Sequence, residues 1–155
     1  MNTSQAQSKT EVLPVHDCWR YLRSSSIGRL AVVKNGQPEI FPVNYLPEDG
    51  TVLFQTGPGT KLNAVLRGEQ VVMEADGFNT YGTISWSVVV KGNPEPVSSE
   101  EENLAAAGQG LSPWEPGEKD YLIRITPTEI TGRRFVIESN TRWWPPREQL
   151  SRSQQ

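Results

Sequence analysis

One dipeptide constrains this chain more than any other feature. Asn35-Gly36 stands between two apolar runs, Leu30-Ala31-Val32-Val33 and Ile40-Phe41-Pro42-Val43-Asn44-Tyr45. A two-residue hairpin turn of the I′ type needs positive φ at both central positions, which Asn and Gly adopt at least cost. The flanking runs are therefore expected to pair as antiparallel strands. Glu48-Asp49-Gly50 makes the next turn, ahead of a third strand over Thr51 to Thr56, so the three form a meander.

The rest of the chain extends the same theme. Pro14 to Ser26 reads as a short helix, with Asp17 in its first turn and Cys18, Trp19 and Leu22 on one stripe. Gly57-Pro58-Gly59 breaks the third strand, and Thr60 to Arg67 reads as a second short helix ending at Gly68. Val71 to Ala75 makes a fourth strand, Asn79 to Thr83 a loop, and Ile84 to Lys91 a fifth strand rich in Val. Ser98 with Glu101 is a capping box for a helix running to about Ala107. A long loop over Gln109 to Asp120 follows, then two strands, Tyr121 to Ile125 and Glu129 to Ile137, with Pro127 and Thr128 as the turn between them. The pattern is mainly β: a small closed barrel with short helices, in which closure removes exposed strand edges.

Composition narrows the chemistry. The chain has 155 residues, about one domain's length, and a chain of that size buries roughly 70% of its unfolded surface. Its single Cys excludes an intrachain disulfide framework and points to a reducing compartment, and its single His leaves only His16 for a Ser-His or Cys-His mechanism. The formal net charge of -3 argues against a mainly electrostatic nucleic-acid binder. No apolar run approaches the ~20 residues that span a bilayer, and Met1 to Val15 lacks the apolar core of a signal peptide. These features predict a cytoplasmic protein with neither membrane nor nucleic acid as partner. Its expected organisation is a polar tail over 1–14, one domain over 15–138 and a C-terminal extension over 139–155. With so few catalytic groups, an enzyme built on this chain borrows its reactivity from a cofactor.

Three stretches invite a ligand. In Thr56-Gly57-Pro58-Gly59-Thr60-Lys61-Leu62, a strand end, a Gly-rich turn and a helix start carry a hydroxyl and a Lys, a combination that favours a phosphate. The spacing is not that of a Walker loop, and the plainer alternative is a capping Thr60 beside a solvated Lys61. Pro42, inside an otherwise good strand, belongs at an edge or bulge, with Asn44 adding an amide; the alternative is an edge protected by Pro. In Ser85-Trp86-Ser87-Val88-Val89-Val90-Lys91-Gly92, alternation puts Trp86, Val88 and Val90 on one face and Ser85, Ser87 and Val89 on the other. A ligand or a second chain can cover the serine face, and Trp86 can be plain core.

Gly28-Arg29-Leu30-Ala31, Phe41-Pro42-Val43-Asn44-Tyr45, Phe54-Gln55-Thr56, Gly59-Thr60-Lys61-Leu62 and Trp86-Ser87-Val88-Val89-Val90-Lys91-Gly92 occur in this order. In that order and spacing, the chain resembles the pyridoxamine 5'-phosphate oxidase-like proteins over roughly Val15 to Phe135. The resemblance implies a six-stranded antiparallel split barrel that forms a homodimer with FMN in clefts between subunits. It places Phe41, Pro42, Val43 and Asn44 along the flavin ring, Thr56, Thr60 and Lys61 at the phosphate, and Trp86 and Ser87 on a strand reaching the flavin from the other side. It implies a flavin-dependent oxidoreductase acting on an unassigned small-molecule substrate or electron donor. The alternative is a protein of the same fold that binds flavin, deazaflavin or haem without catalysis, for transport or sensing. Ile40 stands where the pyridoxal-phosphate-producing members have a basic residue, and Trp143-Trp144-Pro145-Pro146-Arg147 lacks their C-terminal His, so pyridoxamine phosphate oxidation itself is not expected.

Overall fold

The computed structural model describes residues 10–97 and 121–137. In chain order these form β1 (Thr10–Val12), α1 (Val15–Arg23), β2 (Ile27–Lys34), β3 (Gln37–Glu48), β4 (Thr51–Thr56), α2 (Thr60–Leu66), β5 (Val71–Phe78), β6 (Ile84–Pro96) and β7 (Tyr121–Val136). The sheet order is β1-β7-β4-β3-β2-β5-β6, and a further β6–β7 pairing closes it. All pairings are antiparallel. The fold is therefore a closed six-stranded barrel, β2 to β7, with β1 added to the far end of β7. That short strand lies inside the stretch expected to be an N-terminal tail.

The turns behave as their residues require. Asn35 and Gly36 have φ of 51° and 76°, and Asp49 and Gly50 have 48° and 73°. Both hairpins of the meander thus use left-handed pairs, which match the twist of the strands they join. Inside the barrel lie Leu30, Val43, Tyr45, Phe54, Met73, Trp86, Val88, Val90, Ile123 and Ile125, all buried.

Three expectations change. The last two strands are one, β7, because the barrel seam carries an irregularity where a turn was expected: Lys91 faces Glu129 but Gly92 faces Pro127, which leaves Thr128 as an extra residue. A bulge absorbs such a residue and lets the strand continue through Pro127. For the same reason β6 runs past Lys91 to Pro96. The first helix ends at Arg23, three residues earlier than expected. The capping-box helix at Ser98, the loop over 109–120, Trp114 and Trp143-Trp144 lie outside the described residues.

The two helices close opposite ends of the barrel. Near α1, Ser26 at the start of β2 accepts a bond from the Tyr45 N–H (3.0 Å), and the Tyr45 hydroxyl donates to the Leu22 carbonyl (2.8 Å). Near α2, Arg67 donates to the carbonyl of Val33 at the other end of β2 (3.2 Å). Eight residues of strand separate the two ends, about 23 Å at ~3.3 Å per residue.

Candidate functional site

The barrel is split beside β3. β4 pairs with β3 only from Tyr45 to Glu48, so over Gln37 to Asn44 no described strand bonds to β3 on that side. Pro42 falls in this open stretch, where its missing N–H costs nothing. The chain leaves β4 at Thr56, turns through Gly57-Pro58-Gly59 and enters α2 at Thr60, next to the gap. Gly59 has a φ of 144°, a conformation that L side chains rarely adopt.

Lys61 reaches back from α2 into this gap. Its ammonium stands 5.3 Å from the centre of the Phe41 ring. The side chain is half-buried, and among the described residues no carboxylate pairs with it. Arg29, Arg67 and Lys91, by contrast, each lie within 3.5 Å of an acid. With seven residues, α2 is too short to contribute much of a dipole, so the local positive field is chiefly that of Lys61. Thr56 is buried, and its hydroxyl donates to the Gly57 carbonyl (3.1 Å).

Alternation divides the ring-contacting candidates. Phe41, Val43 and Tyr45 point inward, where Leu30 lies opposite Phe41 and Val43 is 3% exposed. Pro42 and Asn44 point outward. Tyr45 and Phe54 face each other across β3 and β4, so Gln55, the residue after Phe54, shares the outer face with Asn44. The carbonyl oxygen Oε1 of Gln55 is buried and has no hydrogen-bond partner among the described residues. Sequence reasoning passed over Gln55, because a glutamine on a strand carries no signal of its own.

Trp86 and Ser87 lie toward the α1 end. Phe41, Leu30, Met73 and Val90 are successive cross-strand neighbours, and Trp86 is four residues from Val90, about 13 Å along β6. Trp86 is buried and stacks on Tyr21 with ring centres 5.3 Å apart. It borders a cleft of about 570 Å³ shared with Arg20, Asp76, Phe78 and Arg134. Within this chain Lys61 and Trp86 thus belong to different ends. On the outer face between them, the Arg29 guanidinium holds Glu74 at 3.1 Å and Asp76 at 3.3 Å. Burial, followed by the neighbouring Asp76, pushes the Glu74 carboxyl up to about 7. Burial also pushes the Tyr45 phenol up to about 12 and raises the Cys18 thiol, so neither is an ionised nucleophile near neutral pH. His16 is exposed beside Asp17 at 3.5 Å, and no described cluster of His, Cys, Asp or Glu is arranged to hold a metal ion. Among the described residues no helix is long and apolar enough to cross a membrane.

The profile of the family described as pyridoxamine 5'-phosphate oxidase matches residues 14–134. The chain belongs to this family. An uncharacterised protein of Mycobacterium tuberculosis is 34% identical over 142 residues, 87% of this chain and 93% of the relative. A solved FAD binding protein from Mycobacterium smegmatis is 35% identical, covering 81% of this chain and 98% of its own, with a TM-score of 0.66. A solved FAD-binding protein from Mesorhizobium loti is 25% identical, with the same coverages and a TM-score of 0.68.

For this pyridoxamine 5'-phosphate oxidase family member, the groups around the split fit a phosphorylated, hydroxyl-bearing ring compound. An unpaired ammonium suits a phosphate. A buried acceptor without a donor suits a ligand O–H or N–H. An open strand edge offers backbone groups to the rim of a flat ring.

Proposed function

We propose that the chain is a flavin-nucleotide-binding split-barrel protein acting as an oxidoreductase. The observation that carries this is the half-buried Lys61 ammonium, resting on Phe41 and unpaired by any described carboxylate, at the mouth of the split. Thr56, Thr60 and Lys61 hold the phosphate. The outer face of Pro42 and Asn44, with the open edge of β3 beside it, lies along the ring. The bound flavin supplies hydride and electron transfer; the protein binds it, orients it and excludes water. FMN carries a phosphate, hydroxyls and a flat ring and so offers a partner to each of these groups, and the relatives described as FAD-binding support the same phosphate-and-ring chemistry.

Trp86 and Ser87 lie toward the α1 end, away from Lys61, which supports a homodimer in which a second copy brings them to the ligand. Light scattering on the eluting protein checks the dimer. Fluorescence titration with riboflavin, FMN and FAD checks the site. Lys61→Ala is expected to weaken FMN and FAD about ten-fold or more while leaving riboflavin within about two-fold. A protein that binds none of the three refutes the proposal. Reduction of the bound flavin by NADPH or NADH, with reoxidation by an acceptor, separates an oxidoreductase from a carrier.

A further inference from the structure

The contact between Lys61 and Phe41 reassigns Phe41. Four consecutive residues of a strand cannot present their side chains to one ligand face, because every second side chain points the other way. Phe41 takes the inward direction with Val43 and Tyr45, opposite Leu30, and packs against the core. Its exposed surroundings hold not a ring-binding face but the ammonium of Lys61, 5.3 Å from its centroid. A lysine side chain has four rotatable bonds and, unpaired, wanders over many rotamers. An aromatic face is one of few partners that can hold an ammonium without neutralising it. A carboxylate in the same place would fix the lysine but cancel the charge that a phosphate needs.

We infer that Phe41 is a positioning residue: its ring holds the Lys61 ammonium, uncompensated by any described carboxylate, where a ligand phosphate arrives. This rests on the phosphate role of Lys61 proposed above. It differs from what the sequence resemblance implies for Phe41, which is contact with the flavin ring.

The two roles separate in the ratio of FMN to riboflavin affinity, measured on the full chain by flavin fluorescence. Positioning through Lys61 predicts that Phe41→Leu weakens FMN about three- to ten-fold and leaves riboflavin within about two-fold. Phe41→Tyr, which keeps an aromatic face, retains the wild-type ratio. In a Lys61→Ala background, Phe41→Leu has no further effect on FMN, since there is no ammonium left to position. Equal losses of FMN and riboflavin in Phe41→Leu overturn the inference and return Phe41 to the ring. So does an undiminished Phe41→Leu effect in the Lys61→Ala background. If Lys61→Ala alone leaves the FMN to riboflavin ratio unchanged, the phosphate role of Lys61 is what has failed, and the positioning role goes with it. Thermal melting checks each variant for folding. Phe41→Met, which fills the same inward position with an unbranched side chain, serves the identical comparison if the Leu variant does not fold.

Discussion

The α1 end of the barrel and the split beside β3 are finished to different standards. At the α1 end almost every group is satisfied. Cys18 and Leu22 are fully buried, the Tyr45 hydroxyl bonds the Leu22 carbonyl, Tyr21 stacks on Trp86, and Arg134 pairs with Glu11. Around the split, polar groups are left open: among the described residues the Lys61 ammonium has no counter-charge, the Gln55 oxygen has no donor, and β3 has no strand neighbour on one side from Gln37 to Asn44. Buried polar groups left without partners cost stability. Such groups persist where something other than folding requires them.

Gly132 carries the closest packing at the α1 end. A Cβ built there stands 2.7 Å from the Cys18 sulfur and 3.1 Å from Leu13 Cδ1. Gly132→Ala is expected to cost about 2–3 kcal/mol in denaturant unfolding, because both neighbours are buried and neither can move aside freely. Cys18→Ala in the same chain should recover a substantial part of that loss by removing the sulfur that collides. A Gly132→Ala protein as stable as wild type would mean that the α1 end is looser than its contacts imply.

The opposite sign is expected at Gln55. Gln55→Met removes a buried acceptor that has no partner among the described residues while keeping an unbranched side chain of similar length. The ligand-free protein should therefore keep its stability or gain up to about 1 kcal/mol. Its affinity for FMN should fall at the same time, since the ligand loses the acceptor that waits for it. A stability loss above about 1 kcal/mol would place Gln55 in the scaffold and erase the distinction between the split and the α1 end.

The architecture was largely legible and the site only partly so, for a common reason. Strand pairs set by left-handed turns are local, and Asn35-Gly36 and Asp49-Gly50 declare them within two residues. β7 was less legible because Pro127 and Thr128 imitate a turn; only the pairing with β6, whose shift at Lys91/Gly92 absorbs the extra residue, reveals continuity. Thr60 and Lys61 stand out beside their Gly-rich turn. Phe41 meets Lys61 from twenty positions away, which no local pattern encodes. Gln55 becomes visible only when its oxygen is found buried without a partner.

The smallest expected effect lies on the outer face between the two ends. Arg29 stands between Glu74 and Asp76, one guanidinium for two carboxyls. Glu74 keeps its proton up to about 7 in the fold, against an ordinary value of 4.5, because it is desolvated and faces a second acid. Unfolded chains release that proton first, so between about 4.5 and 7 the folded state binds more protons than the unfolded one. The contribution of Glu74 to stability is therefore complete below about 4.5 and is lost as pH rises through about 7. Glu74→Gln, which mimics the protonated form, lacks this dependence. The melting temperature of wild type minus that of Glu74→Gln should fall across this window and level off above it. A difference that grows with pH would mean that Arg29 outweighs burial and the second acid together. Glu74 would then be an ordinary ion-pair partner, grouping the outer face with the satisfied α1 end rather than with the open groups around Lys61.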